Sequence, residues 1–82
     1  MDDAALLERI TIDTDTLAGK PVIKGTRLSV DFVINLLAHD MSFEEIQQEY
    51  PDLKKDDILA CLLFAKNSVE SAVFFPPSYR VS

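Results

Sequence analysis

The fold is decided by residues 41–57, which read MSFEEIQQEYPDLKKDD. Ser42 and Glu45 are spaced as in a capping box, in which the serine and glutamate side chains each accept a hydrogen bond from a backbone N–H group at the helix start. Pro51 prevents the helix from continuing, because proline lacks an N–H group and disfavours helical geometry in the residue before it. The stretch therefore predicts a short helix over 43–50, followed by a turn.

A further helix is predicted on each side of this short one. Before it, Ser29 suits the N-cap position, and the apolar pattern that follows predicts a helix over about 30–39. After it, Asp56 and Asp57 suit the first turn of a helix over about 55–72, because carboxylates interact favourably with the positive end of the helix dipole. A short helix, a turn and a longer helix are the parts of a helix-turn-helix unit.

Residues 9–30, ahead of the helices, predict a small β element. Residues 9–13 alternate polar and β-branched side chains, as a short strand does. Val22-Ile23 and residues 28–30 are read as two further extended pieces. Gly25 lies in the turn between them, where the lack of a side chain permits a positive φ.

The length of 82 residues allows one domain. We predict a single domain over residues 1–72 and a C-terminal tail over residues 73–82. The domain is expected to be mainly α, with a small N-terminal β-hairpin or sheet and a three-helix, helix-turn-helix-like bundle of the winged-helix or homeodomain-like type. The sequence has no apolar run of about 18 residues, and its acidic first residues differ from a secretory signal. We therefore expect a cytoplasmic protein with no membrane contact.

The net charge is −6, which disfavours nonspecific coating of nucleic acid or of a membrane surface. Residues 17–30 nevertheless carry three cations and no acid. If the protein contacts DNA, the phosphate contacts are expected from Lys20, Lys24, Arg27, Lys54 and Lys55. The alternative is that these side chains only solvate turns. Two aspartates directly follow Lys54 and Lys55, so docking of the third helix in a DNA groove is not favoured.

No arrangement of residues in the sequence predicts catalysis. His39 is the sole histidine and lies near a predicted helix end, where it is expected to interact with the last carbonyl groups. Cys61, the sole cysteine, is predicted to be a buried structural thiol, because no cationic neighbour lowers its pKa. One histidine and one cysteine cannot form a structural zinc site within one chain. We expect a binding module rather than an enzyme, without a cofactor, a metal or a small-molecule substrate.

The third predicted helix is apolar on more than one face. Leu59, Leu63 and Phe64 extend its main apolar stripe, and we expect these residues to form homodimer contacts, since surplus apolar surface on a small domain favours a partner. The alternative is a monomer in which the N-terminal hairpin and the C-terminal tail cover the second face.

The tail over residues 73–82 reads VFFPPSYRVS, with three aromatic residues and no acid. Its prolines favour an extended conformation, and its aromatic side chains are costly to leave in water. Such a segment either packs on its own domain or binds another protein. In the second case we expect Phe74, Phe75 and Tyr79 to anchor it and Arg80 to pair with carboxylates of the partner.

The sequence resembles a bacterial family named domain of unknown function 433, from about Ile10 to Ala65. The most distinctive stretch pairs Gly19-Lys20-Pro21 with Gly25-Thr26-Arg27. The other matching stretches are Ile10-Thr11-Ile12-Asp13, Leu36-Leu37-Ala38, Met41-Ser42, Glu44-Glu45-Ile46, Tyr50-Pro51-Asp52-Leu53 and Asp57-Ile58. The positions that depart from the family pattern are Thr14, Ala18, Asp40 and Lys54, of which Asp40 stands where the family usually has a helix-closing glycine.

The resemblance implies a small β element followed by a helix-turn-helix-like unit, often dimeric. It also implies an antitoxin of a type II toxin–antitoxin pair, because members of the family are commonly encoded beside PIN-like ribonuclease toxins and are similar to VapB-type antitoxins. On this reading the chain binds and inhibits a PIN-like ribonuclease and contributes to autoregulation through DNA binding. The alternatives are a dimeric DNA-binding transcriptional regulator and a structural adaptor without a toxin partner.

Overall fold

The computed structural model describes residues 2–12, 15 and 19–71. In chain order the elements are α1 (Asp3–Leu7), β1 (Ile10–Ile12), β2 (Pro21–Ile23), α2 (Val30–Ala38), α3 (Phe43–Glu49) and α4 (Lys55–Glu70). The predicted class, mainly helical with a small N-terminal antiparallel sheet, is confirmed. The tail over residues 73–82, with Phe74, Phe75, Tyr79 and Arg80, lies outside the described residues.

The three predicted helices begin where expected and end within two residues of the predicted positions, because their starts are fixed by local caps. Ser29 Oγ accepts a hydrogen bond of 3.0 Å from the Phe32 N–H group. Ser42 and Glu45 form the full capping box, with reciprocal hydrogen bonds of 2.9 and 3.1 Å. The bond from the Ser42 backbone holds the pKa of the Glu45 carboxyl below its usual value. Glu45 therefore has a structural role at the start of α3.

The end of α2 is closed by a left-handed residue at Asp40, whose φ is 70°. The Asp40 N–H group donates to Leu37 O at 3.1 Å, and the Met41 N–H group donates to Leu36 O at 3.1 Å. These two bonds are those of the Schellman motif, which satisfies the last carbonyl groups of a helix. Asp40, which stands where the family usually has a helix-closing glycine, thus closes α2 in the left-handed conformation.

Replacement of Asp40 by glycine is expected to raise the free energy of unfolding by about 0.5–1 kcal/mol, because glycine adopts a positive φ without steric cost. Urea unfolding measures the change. Asp40→Ala is the control, since it removes the carboxylate but keeps the Cβ atom, and it should not stabilise the protein. Equal stabilisation by both variants would assign the effect to charge instead of backbone conformation.

The two strands pair antiparallel, with Ile10 opposite Ile23 and Thr11 opposite Val22. The predicted extended piece over residues 28–30 is wrong in length, because only Ser29 makes a bridge, to Val22. The reason is that Ser29 already caps α2, so the residue after it is helical.

The helix α1 was not predicted. Asp2 caps it, with Oδ1 accepting a hydrogen bond of 2.8 Å from the Ala5 N–H group. The helix packs against α4, so a part of the second face of α4 is covered from within the chain. The monomer alternative assigned this cover to the N-terminal hairpin and the C-terminal tail, whereas this contact comes from a helix that precedes the hairpin.

The core lies where β2, α2, α3 and α4 meet. Its fully buried members come from all four elements and from the turn before α4: Ile23, Val30, Val33, Ile46, Leu53, Ile58 and Cys61. Two further apolar residues of α2 also make contacts within the chain: Ile34 packs against the core, and the Phe32 ring meets the Tyr50 ring edge-on, with 5.4 Å between the ring centroids. The described part of the chain thus places the hairpin turn and the start of α4 on a common core.

Candidate functional site

Arg9 connects the turn that follows β2, residues 24–28, with the start of α4. We call residues 24–28 the hairpin turn. Its Nη1 atom lies 3.0 Å from Asp57 Oδ1, and its Nη2 atom lies 3.6 Å from Asp56 Oδ2. The Arg9 carbonyl accepts a hydrogen bond of 2.9 Å from the Lys24 N–H group in the hairpin turn. Asp57 Oδ2 in turn accepts a bond of 2.9 Å from the Lys54 N–H group. One arginine therefore holds the turn of the hairpin against the turn that precedes α4.

This ion pair changes the electrostatics at the start of α4. Asp57 is only 7% exposed, and both carboxylates face a guanidinium group. Lys54 and Lys55 are exposed, and neither forms an ion pair with another described residue. Arg9 thus offsets half of the charge of the two carboxylates that made groove docking unfavourable, and sequence reasoning did not connect this residue with α4.

The family motif mostly shapes the hairpin turn. Gly25 has a φ of 81°, which only glycine adopts without strain. Thr26 Oγ1 donates to Ile23 O at 2.8 Å and accepts from the Leu28 N–H group at 3.0 Å, so this side chain closes the turn. Arg27, by contrast, is exposed and has no ion-pair partner among the described residues. The Arg27 side chain is therefore free to contact a ligand.

The first half of the motif supports the hairpin from its other end. Gly19 has a φ of 79°, and Pro21 begins β2, a position that strands tolerate for proline. Lys20 Nζ lies 3.6 Å from Asp31 Oδ2, with both side chains largely exposed. Lys20 thus contacts the start of α2, whereas Lys24 is bonded through its backbone to Arg9.

An open cleft brings two of the matching family stretches together. Residues 25–28 line one part of it and residues 49–52 line another, around a volume of about 690 Å³. Arg27 contributes a positive charge, and Glu49 and Asp52 contribute negative charges. Of the predicted cations, Arg27 lines this cleft, whereas Lys24, Lys54 and Lys55 do not.

The residues predicted for a dimer contact are not the most exposed ones on α4. Leu59 and Leu63 are half-buried, and Phe64 packs against the core. The large apolar side chains that α4 exposes are instead Leu62, at 40%, and Val69, at 68%. These two lie seven residues apart and therefore on the same face of the helix. The homodimer itself stays a prediction.

Cys61 and His39, the two residues considered for catalysis, are held in contacts within the fold. Cys61 is fully buried, as predicted, and burial together with the charge of Asp57 raises its pKa to about 12, so the thiol is protonated at neutral pH. His39 Nδ1 lies 2.7 Å from Asn35 O, which is the predicted contact with a carbonyl at the helix end. Within the described ranges, no three potential metal ligands lie together. None of the described helices combines the length and hydropathy needed to span a bilayer.

Comparison with known proteins gives a family and a relative. A family model described as "Protein of unknown function (DUF433)" matches residues 10–65. A protein of Archaeoglobus fulgidus named "Uncharacterized protein" is 56% identical over 25 residues, which cover 30% of this chain and 69% of that protein. No solved structure gives a significant match.

Proposed function

Because the chain belongs to the family of unknown function DUF433, its function has to be argued from its surfaces, and we propose that it is an antitoxin that binds and inhibits a PIN-like ribonuclease. The observation that carries this proposal is the pair of exposed apolar side chains on α4 together with the tail sequence that follows the helix. Leu62 and Val69 are exposed on one side of the helix, and the helix leads into the aromatic, acid-free tail. Exposed apolar surface that continues into such a segment favours a protein partner.

The proposed mechanism is occlusion of the nuclease site. The aromatic residues of the tail supply buried anchors, which carry much of the affinity at protein interfaces. Arg80 pairs with the acidic residues that hold the metal of the nuclease, because a guanidinium group matches carboxylates in a bidentate geometry. The tail itself carries no acid, so Arg80 has no negative neighbour in its own segment that would compete for the guanidinium group.

Triple replacement of Phe74, Phe75 and Tyr79 by alanine is expected to weaken binding of the nuclease by about 100-fold or more, because each lost aromatic anchor removes buried area. The experiment is co-purification with the product of the neighbouring gene, followed by titration calorimetry and an RNA cleavage assay. Ser78→Ala is the matched control within the same segment and should retain affinity. Unchanged affinity in the triple variant would refute the tail mechanism, and a partner that is no nuclease would favour the adaptor role.

A second function, DNA binding by α3, the turn and α4, is favoured by the Arg9 contacts. Three cations, Arg9, Lys54 and Lys55, stand against two carboxylates, Asp56 and Asp57, at the start of α4. Lys24 and Arg27 come from the hairpin turn that Arg9 holds beside this start. These cations suit contacts to phosphates, which position a protein on DNA without reading its sequence.

The Lys54→Ala/Lys55→Ala double variant is expected to bind the promoter DNA of its own gene more weakly. The slope of log K against log salt concentration should fall by about 2, since each lost phosphate contact releases about one counterion fewer. A mobility-shift titration over several salt concentrations measures this slope. Lys66→Ala is the control, because Lys66 pairs with Glu70 at the far end of α4. An unchanged slope in the double variant would remove these lysines from the interface.

A further inference from the structure

A second cavity lies away from the cleft of the family motif. It is a groove between α1, β1 and the C-terminal half of α4, with a volume of about 650 Å³. Leu7, Ile10 and Ile12 line it from the N-terminal elements, and Phe64, Ser68 and Ser71 line it from α4 and its end. None of the described residues that line this groove is charged, although 27% of the chain is charged. We call it the α1–α4 groove.

The α1–α4 groove exposes apolar surface that the described residues leave uncovered. Ile12 is 61% exposed at its edge, although isoleucine in a short strand usually packs against a neighbour. Leu7, Ile10 and Phe64 are half-buried around it. Filling an apolar groove of this kind with an apolar segment lowers the free energy, because apolar surface is removed from water.

An apolar segment of this chain follows directly after a residue that lines the groove. Ser71, which lines the groove, is the residue at which α4 ends, so the residues that follow begin at the groove. Residues 72–79 read AVFFPPSY and contain no charged side chain, so an uncharged groove is matched by an uncharged segment. A charged peptide would lose its hydration there without gaining a partner.

The distances permit this contact within one chain. Phe64 and Ser71 are seven residues apart on a helix, which corresponds to about 10 Å along the axis. An extended chain advances about 3.3–3.6 Å per residue, so three or four residues after Ser71 traverse the length of the groove. Phe74 and Phe75 therefore reach all of it. A tether this short also gives a high effective concentration, in the millimolar range or above.

We propose that the α1–α4 groove binds residues 73–79 of the same chain, with the side chains of Phe74 and Phe75 seated among Leu7, Ile10 and Phe64. The proposal concerns the free protein and does not depend on the antitoxin function. If the tail also binds a nuclease, the groove and the nuclease compete for the same aromatic side chains.

A tryptophan reporter in the full chain tests the proposal. The sequence contains no tryptophan, so Phe75→Trp introduces a single fluorophore in the segment. In the free protein we expect blue-shifted emission and weak quenching by acrylamide. Adding Ile12→Lys, which places a charge at the edge of the groove, should shift the emission to the red and increase the quenching. Val69→Lys is the matched control, because Val69 is an equally exposed aliphatic residue that does not line the groove.

The outcomes separate the alternatives. Emission typical of exposed tryptophan in the free protein would overturn the proposal, as would equal spectra for the Ile12→Lys and Val69→Lys variants. A blue shift that disappears on dilution, together with a dimer in light scattering, would place the segment in the groove of a second copy and would also overturn it. A blue shift that is independent of concentration and is lost only with Ile12→Lys supports it. Ser68→Lys, on the opposite wall, repeats the test if Ile12→Lys disturbs the circular dichroism spectrum.

Discussion

Replacement of Asp57 by alanine should lower the free energy of unfolding by about 2–4 kcal/mol. The carboxylate makes two contacts: Oδ1 accepts from Arg9 at 3.0 Å and Oδ2 accepts from the Lys54 N–H group at 2.9 Å. A hydrogen bond to a charged group contributes about 1.5–3 kcal/mol and a helix cap about 1 kcal/mol. Arg9 is only partly buried, with 31% of its side chain exposed, so water offsets a part of the loss and keeps the expected cost within this range.

Asp56 provides the matched control for this experiment. Its contact with the same arginine is longer, at 3.6 Å, and its side chain is 39% exposed. Asp56→Ala should therefore cost less than about 1 kcal/mol. The cost of Asp57→Asn should lie between those of Asp56→Ala and Asp57→Ala. Asparagine has one side-chain oxygen, so it can replace only one of the two contacts that the two carboxylate oxygens make with Arg9 and Lys54. Urea unfolding measures all three variants, and equal costs for Asp56→Ala and Asp57→Ala would contradict the role assigned to Asp57.

The second large effect is expected in the core. Ile58 is fully buried and belongs to the same cluster as Ile46 and Leu53. Ile58→Ala should cost about 2–5 kcal/mol, because it removes buried methyl groups and leaves a cavity. This is a large share of the total of about 5–15 kcal/mol that a small domain possesses. Thermal and urea unfolding are the measurements.

Two further variants test whether the loss of stability depends on how much buried apolar volume is removed. Ile58→Val removes one carbon atom and should cost about 0.5–1.5 kcal/mol. Val69→Ala removes apolar atoms from an exposed position of the same helix and should change stability by no more than about 0.5 kcal/mol. If Ile58→Ala lowers the free energy of unfolding no more than Val69→Ala does, the buried cluster around Ile58 does not stabilise the fold as proposed.

The parts of the fold that sequence reasoning predicted correctly are those fixed by neighbouring residues. The Ser42–Glu45 box and the cap at Ser29 each involve residues three positions apart, so their spacing is visible in the sequence. The helix α1 was missed although its signal was of the same kind. Asp2 is a suitable N-cap and Asp3 suits the first turn, but a helix of five residues has too few turns to show an apolar period.

The candidate site was predicted less well, because its decisive contact joins distant parts of the chain. Arg9 and Asp57 are separated by 48 positions, and nothing near either residue indicates the other. Asp56 and Asp57 were interpreted only through the helix dipole, so the start of α4 appeared more acidic than its surroundings make it. The α1–α4 groove was likewise invisible, since one of its walls is the helix that the sequence did not predict. Long-range pairing of this kind is set by tertiary packing and leaves no local pattern.

The Arg9 contacts also decide where the folding unit can be cut. The family match begins at Ile10, one position after this arginine. A fragment excised at the matched residues 10–65 would therefore lose the cation opposite Asp57 and would keep a nearly buried carboxylate. The sequence match therefore begins inside the structural unit, which includes Arg9 and the helix α1 that packs against α4, so an excised fragment has to keep both.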